Sequence, residues 1–116
     1  MKFRSALLFS LLMITGAAHA DYPHLLNTGV LRADCELLDR SSQVRCEAFL
    51  MGVADAVNAI KFSGKSGEKY FCAPERTNEI HLRQAFVVYV SNRLPDNSTP
   101  AADVALAAFA EAFPCE

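Results

Sequence analysis

The stretch Gln43–Phe62, QVRCEAFLMGVADAVNAIKF, decides the fold. Cys46, Leu50, Val53, Val57 and Ile60 recur at spacings of 4, 3, 4 and 3. That period puts all five on one face of an α-helix. Gly52 interrupts the run at a cost of about 1 kcal/mol against alanine. A close crossing of another helix is expected there, where a missing side chain lets two backbones approach. Asp55, three residues on, is a candidate for partial burial, with Arg83 or a backbone donor as its partner.

Working outward, Asp39-Arg40-Ser41-Ser42 reads as a turn. Before it, a first helix is expected from about Gly29 to Leu38, capped by Thr28, with Leu26, Val30, Ala33 and Leu37 as its apolar stripe. After the long helix comes Ser63 to Tyr70, the most polar loop, with two glycines and two lysines. Phe71-Cys72-Ala73-Pro74 is expected to tie the chain back to the core. A third helix is expected from near Thr77, with Glu79 favourable in its first turn. Within it, Ala85 to Val90 has the β-branched content of a strand. Helix remains the expectation, because a lone strand would have nothing to pair with. Pro95 ends that segment and Asp96-Asn97-Ser98 turns. Thr99 as cap and Pro100 as first residue open a fourth helix. Its expected stripe is Ala102, Leu106, Phe109 and Phe113, and Pro114 stops it. The fold class read from this pattern is all-α: a small four-helix domain with short connections.

The chain is 116 residues long, 52% hydrophobic and 21% charged. This is ordinary globular composition and excludes disorder. The length suits one core and not two. Thirteen acidic residues outnumber eleven basic ones, and there is no Trp. That balance argues against nucleic acid or an anionic membrane as partner. Residues 1–20 have the three parts of a secretory signal in order. Lys2 and Arg4 give a positive start, Ala6 to Ile14 an apolar stretch, and Ala18-His19-Ala20 the small residues at a cleavage point. The apolar stretch is shorter than the ~20 residues that span a bilayer. The mature chain is therefore expected to be soluble and exported, cut between Ala20 and Asp21, with residues 21–116 as its one domain.

Cys35, Cys46, Cys72 and Cys115 all fall in that domain. An even count in an exported chain reads as disulfides. Spacings of 11, 26 and 43 residues lack the close pairs a structural zinc needs, and an oxidising compartment would consume a catalytic thiol. If neighbouring helices run antiparallel, Cys35 meets Cys46 at one end of the bundle and Cys72 meets Cys115 at the other. The other two pairings stay open at this point.

Few groups offer catalysis. His24 lies in the N-terminal tail, and His81 sits among Glu79, Arg83 and Gln84 as a solvated helix residue. Neither stands beside a nucleophile and an orienting acid. Gly64-Lys65-Ser66 lacks the second glycine of a phosphate loop, since Ala59 holds that position. Glu47 or Glu79 paired with Asp55 has no spacing that selects glycoside hydrolysis. Asn97-Ser98-Thr99 fits a glycosylation pattern, but turn chemistry explains the same residues. No cofactor, metal or enzymatic activity is expected, and a binder, inhibitor or chaperone is the better class.

The ordered set of motifs resembles the Rap/Tai immunity proteins of type VI secretion systems. It comprises Cys46-Glu47-Ala48-Phe49-Leu50-Met51-Gly52-Val53-Ala54-Asp55-Ala56, then Cys72-Ala73-Pro74, Val87-Val88-Tyr89-Val90 and Leu94-Pro95. The terminal run Ala107-Ala108-Phe109-Ala110-Glu111-Ala112-Phe113-Pro114-Cys115 completes it. Phe49 stands where that family is expected to carry tyrosine. The resemblance implies an all-helical periplasmic protein of a Gram-negative bacterium, commonly dimeric. It would bind an incoming peptidoglycan amidase, a Cys-His hydrolase, and block its active-site cleft.

A plug for such a cleft should be a protruding segment on a rigid scaffold. Lys65, Glu68, Lys69 and Tyr70 are the candidate partner-binding residues, with Tyr70 as the aromatic anchor; a plain solvated loop is the competing reading of the same segment. The turn Asp96–Ser98 is a second candidate. The alternative reading of the whole chain is a small helical periplasmic chaperone or stress protein, which would bind many clients instead of one.

Overall fold

The computed structural model describes residues 23–62 and 70–116, without the side chain of Phe62. The expected signal peptide, its cleavage point, and Lys65, Glu68 and Lys69 lie outside the described residues. Four helices follow in order: α1 (Thr28–Glu36), α2 (Arg40–Phe62), α3 (Glu79–Arg93) and α4 (Ala101–Ala112). Each helix touches the other three. Ala85 to Val90 is helical, as the missing strand partner required. Among the described residues, no helix is long and apolar enough to cross a membrane.

The helix boundaries show where capping chemistry overrode the expected starts. Helix α2 begins at Arg40, not Gln43, because the Asp39 carboxylate accepts from Ser42 N at 2.9 Å and acts as the cap. Hydrogen bonds from the Ser42 side chain and backbone also hold the Asp39 carboxyl below its ordinary range. Helix α3 begins at Glu79 rather than near Thr77. Asn78 accepts from Ile80 N and His81 N, and the His81 ring accepts from Asn78 N at 3.2 Å. This is a capping box with histidine in the place usually taken by Glu or Gln.

Thr28 does not cap α1 but is its first residue, wholly buried. Its N–H and hydroxyl both donate to Thr99 O, at 2.9 and 2.8 Å. Gly29 N donates to Asn97 O at 3.0 Å, and Ala101 N donates to Leu26 O at 2.9 Å. The starts of α1 and α4 thus satisfy each other's leading N–H groups through backbone carbonyls. That is why Thr99 is not a side-chain cap, and why Pro100 is the residue before α4, not its first.

The core is formed by Leu31 and Cys35 of α1, Cys46, Leu50 and Ala54 of α2, Leu82, Phe86 and Val90 of α3, and Ala101, Val104, Ala105, Ala108 and Phe109 of α4. Phe71, from the connection before α3, completes it. Two expected stripes are rotated. In α1, Val30 and Leu37 are 53% and 51% exposed, while Thr28, Leu31 and Cys35 face inward. The Cys35–Cys46 bond and the Thr28 clamp orient that short helix, and both lie on the inward side. In α4, the small residues Ala101, Ala105 and Ala108 are buried beside Val104 and Phe109, and Leu106 is only partly covered. In α2, Cys46, Leu50 and Ala54 form the buried line, flanked by the partly buried Val53 and Val57, while Ile60 is exposed.

The structure joins Cys35 to Cys46 and Cys72 to Cys115, each with Cα atoms 5.0 Å apart. Phe71 meets Phe109 edge-on, with ring centroids 5.2 Å apart. Among the described residues, three ion pairs join helices: Arg45–Asp34 at 2.7 Å, Arg83–Glu47 at 3.3 Å and Arg93–Glu111 at 3.2 Å. The expected pairing of Asp55 with Arg83 is not formed. Asp55 is exposed, and Arg83 instead reaches Glu47, the more buried acid.

Gly52 is not at a close crossing. A Cβ built there meets nothing within 4 Å. The tight glycine is Gly29, where a Cβ would stand 2.9 Å from Asn97 Cβ. The two substitutions are therefore expected to move stability in opposite directions in urea denaturation. Gly52→Ala raises it by about 1 kcal/mol through helix propensity. Gly29→Ala lowers it by about 1 kcal/mol, because an overlap cost of ~1–3 kcal/mol outweighs that gain. Equal effects of one sign would contradict this contact geometry.

Candidate partner-binding surface

Of the four residues singled out for partner contact, Tyr70 is within the described residues. It is 43% exposed. Its neighbours fix it in place. Phe71 is buried against Phe109, Cys72 N donates to Phe113 O at 2.8 Å, and Cys72 is bonded to Cys115. An aromatic ring therefore stands on a post anchored by a ring contact, a hydrogen bond and a covalent link. Such a post loses little freedom on binding, which favours affinity.

The second candidate, the turn Asp96–Ser98, is exposed. The Asp96 carboxylate accepts from Ser98 N and from its hydroxyl, both at 2.8 Å. These bonds, the backbone one foremost, hold the Asp96 carboxyl below its ordinary range. The carbonyl of Asn97 is engaged by α1. The turn is thus rigid and part of the α1–α4 clamp. Just before it, Leu94 takes the left-handed conformation with φ 47° and ends α3 ahead of Pro95.

The histidines have structural partners. His81 is exposed and belongs to the α3 cap, and the His24 ring lies 2.7 Å from Asn27 Oδ1. Among the described residues no cysteine is free, and no group of three His, Cys, Asp or Glu could hold a metal ion. Among the described residues Asp55, Glu47 and Glu79 are not grouped into a metal-holding cluster, and Glu47 is taken by Arg83.

Three surface grooves stand out among the described residues. One of about 410 Å³ runs between α3 and α4, over Ala85, Val88, Tyr89 and Phe113. Another of about 340 Å³ lies on the other side of Val88, bordered by Leu37 and Leu38. Val88 is 57% exposed and forms an apolar ridge between them. The third, of about 460 Å³, is bordered by α2, the Phe71–Asn78 connection and the start of α3. The helical spacing of apolar residues points to none of these. In the sequence Val88 is legible only as one of a β-branched run, and Asp39 and Asn78 are residue types that favour the capping roles they take.

Among curated proteins and among solved structures no match is found. The family model of the Rap1a immunity proteins matches residues 27–115, which begins just before α1 and ends on the last cysteine. With that match spanning all four helices and both cross-links, the chain belongs to the Rap1a immunity protein family.

Proposed function

We propose that this protein is the periplasmic inhibitor of a type VI secreted peptidoglycan amidase. Residues 1–20 serve as the signal peptide, removed between Ala20 and Asp21. The observation that carries the reading is the family match over residues 27–115, since immunity proteins bind a protein effector. Two disulfides in so short a chain agree with an oxidising compartment. Binding, not bond-breaking, is then the activity. The segment containing Lys65, Glu68 and Lys69 enters the amidase cleft, and Tyr70 on its anchored post is the hot spot. A second copy packs on the apolar ridge at Val88, beside Leu37 and Leu38.

Periplasmic co-expression with the cognate amidase, sought first in the neighbouring reading frame, is expected to prevent lysis. Tyr70→Ala is expected to weaken binding by roughly 10- to 100-fold, the scale of an aromatic hot spot. Continued lysis with the wild-type protein stably present counts against the pairing. Hydrolysis of peptidoglycan by the purified protein alone would overturn the inhibitor reading.

A further inference from the structure

The groove between α2 and the start of α3 combines two features. Its floor is apolar, with Phe71 and Leu82 buried and Met51 half exposed. Its rim holds three carboxylates, Asp55 from α2, Glu75 from the connection and Glu79 from α3, and no basic side chain lines it among the described residues. These three acids form no ion pair with a described residue, whereas Asp34, Glu36, Glu47 and Glu111 each hold an arginine.

From this we infer that the groove is a docking site for a basic side chain of the partner protein, an arginine foremost. The inference deepens the inhibitor reading and rests on it for the partner's class. The physical fit follows from the shape of the ligand. Arginine and lysine carry a charged head on an apolar stem, and the stem covers hydrophobic surface while the head stays polar. The floor takes the stem and the rim takes the head. A planar guanidinium can bridge two carboxylates at once, which a point-charge ammonium does less well. A bound metal ion is the wrong occupant, because the acids are not grouped to hold one, and a hydrated ion gains nothing from an apolar floor. An anionic occupant would meet three like charges.

The positive end of α3 opens on the same groove. It does not reverse the preference. The Asn78 side chain already accepts from Ile80 N and His81 N, and Glu79 places a full negative charge in the first turn. The chain as a whole carries a net charge of −2, so the local field and the overall field agree.

The probes are N-acetyl-arginine methylamide and its neutral isostere, N-acetyl-citrulline methylamide, titrated into isotopically labelled full-length mature protein at low salt. Backbone amides of Asp55, Asn58, Glu75 and Glu79 are expected to shift with the arginine probe. Binding should be about fivefold tighter than for citrulline, the scale a few exposed charge pairs supply, and weaker as salt rises. The combined variant Asp55→Asn, Glu75→Gln, Glu79→Gln should erase the difference while its thermal midpoint stays close to wild type. Equal binding of the two probes, or shifts spread elsewhere, overturns the inference.

A second variant, Lys65→Gln with Lys69→Gln, should leave the titration unchanged. If it instead strengthens arginine binding tenfold, the chain's own lysines are the occupant and the partner reading falls. With the cognate amidase, the triple-acid variant should associate about tenfold more slowly at low salt and lose its salt dependence. Unchanged kinetics there also overturns it. An amidase that ignores the wild-type protein altogether would sink the inhibitor reading, and the arginine–citrulline comparison would still decide what this groove prefers.

Discussion

Replacing Cys72 and Cys115 together by alanine is expected to lower stability by about 4 kcal/mol, with a fall in the thermal midpoint on the order of 20 °C. The bond closes a loop with a sequence separation of 43 residues. Cutting it restores to the unfolded chain the freedom of that whole loop, which includes all of α3 and α4. Removing Cys35–Cys46, with a separation of 11, should cost less, about 3 kcal/mol on the same chain-entropy model. The difference is small because loop entropy grows only with the logarithm of length. Against a total of ~5–15 kcal/mol for a domain of this kind, the larger loss leaves a marginal fold. Denaturant melts of the two double variants, read beside the wild type, check both size and order. A loss below ~1 kcal/mol for the Cys72–Cys115 variant would show that the fold does not lean on its long cross-link.

The second large effect is expected at Phe109. Its ring is fully buried and touches Phe71 at 5.2 Å and Phe113 at 6.5 Å between centroids. Phe109→Ala should cost about 3–5 kcal/mol, from lost transfer energy and from the cavity left behind. Phe71 would lose its edge-on neighbour as well. Phe71 is also the residue beside Tyr70, so the same variant should loosen the post on which Tyr70 stands. Urea denaturation with an unchanged slope reads the stability loss. Phe113→Ala should cost less, because Phe113 is only partly buried. Comparable losses at the two positions would mean that the core is not centred where Phe109 lies.

Much of the architecture is legible in the residues. The 4-3-4-3 spacing from Cys46 onward announces α2, and Pro95, Pro100 and Pro114 punctuate the later helices. Helix faces are less legible. Leu26, Val30, Ala33 and Leu37 form a good stripe by period, yet α1 turns Thr28, Leu31 and Cys35 inward. A helix of nine residues has too little apolar surface to choose its own face, and tertiary restraints choose it. Threonine favours the role of a local cap, which is what the sequence alone predicts for Thr28. Its actual partner, Thr99 O, is 71 residues away, and no local rule reaches that far. The same applies to Asp55 and Gly52, whose surroundings depend on which side of α2 faces the neighbours. The acidic groove has its three carboxylates on three different segments, so it exists only once the chain is folded.

The mutual clamp between the starts of α1 and α4 has a kinetic consequence. A ribosome delivers the N-terminal turn first and the Asn97–Ala101 segment near the end, so the earliest helix must wait for the final one before its leading amides are satisfied. Cys35 and Cys46 can find each other in that interval, but Cys72 has no native partner until Cys115 emerges. The vulnerable species is therefore a nearly complete chain with one closed loop and one waiting thiol, and quick closure of the first loop removes Cys46 as a wrong mate.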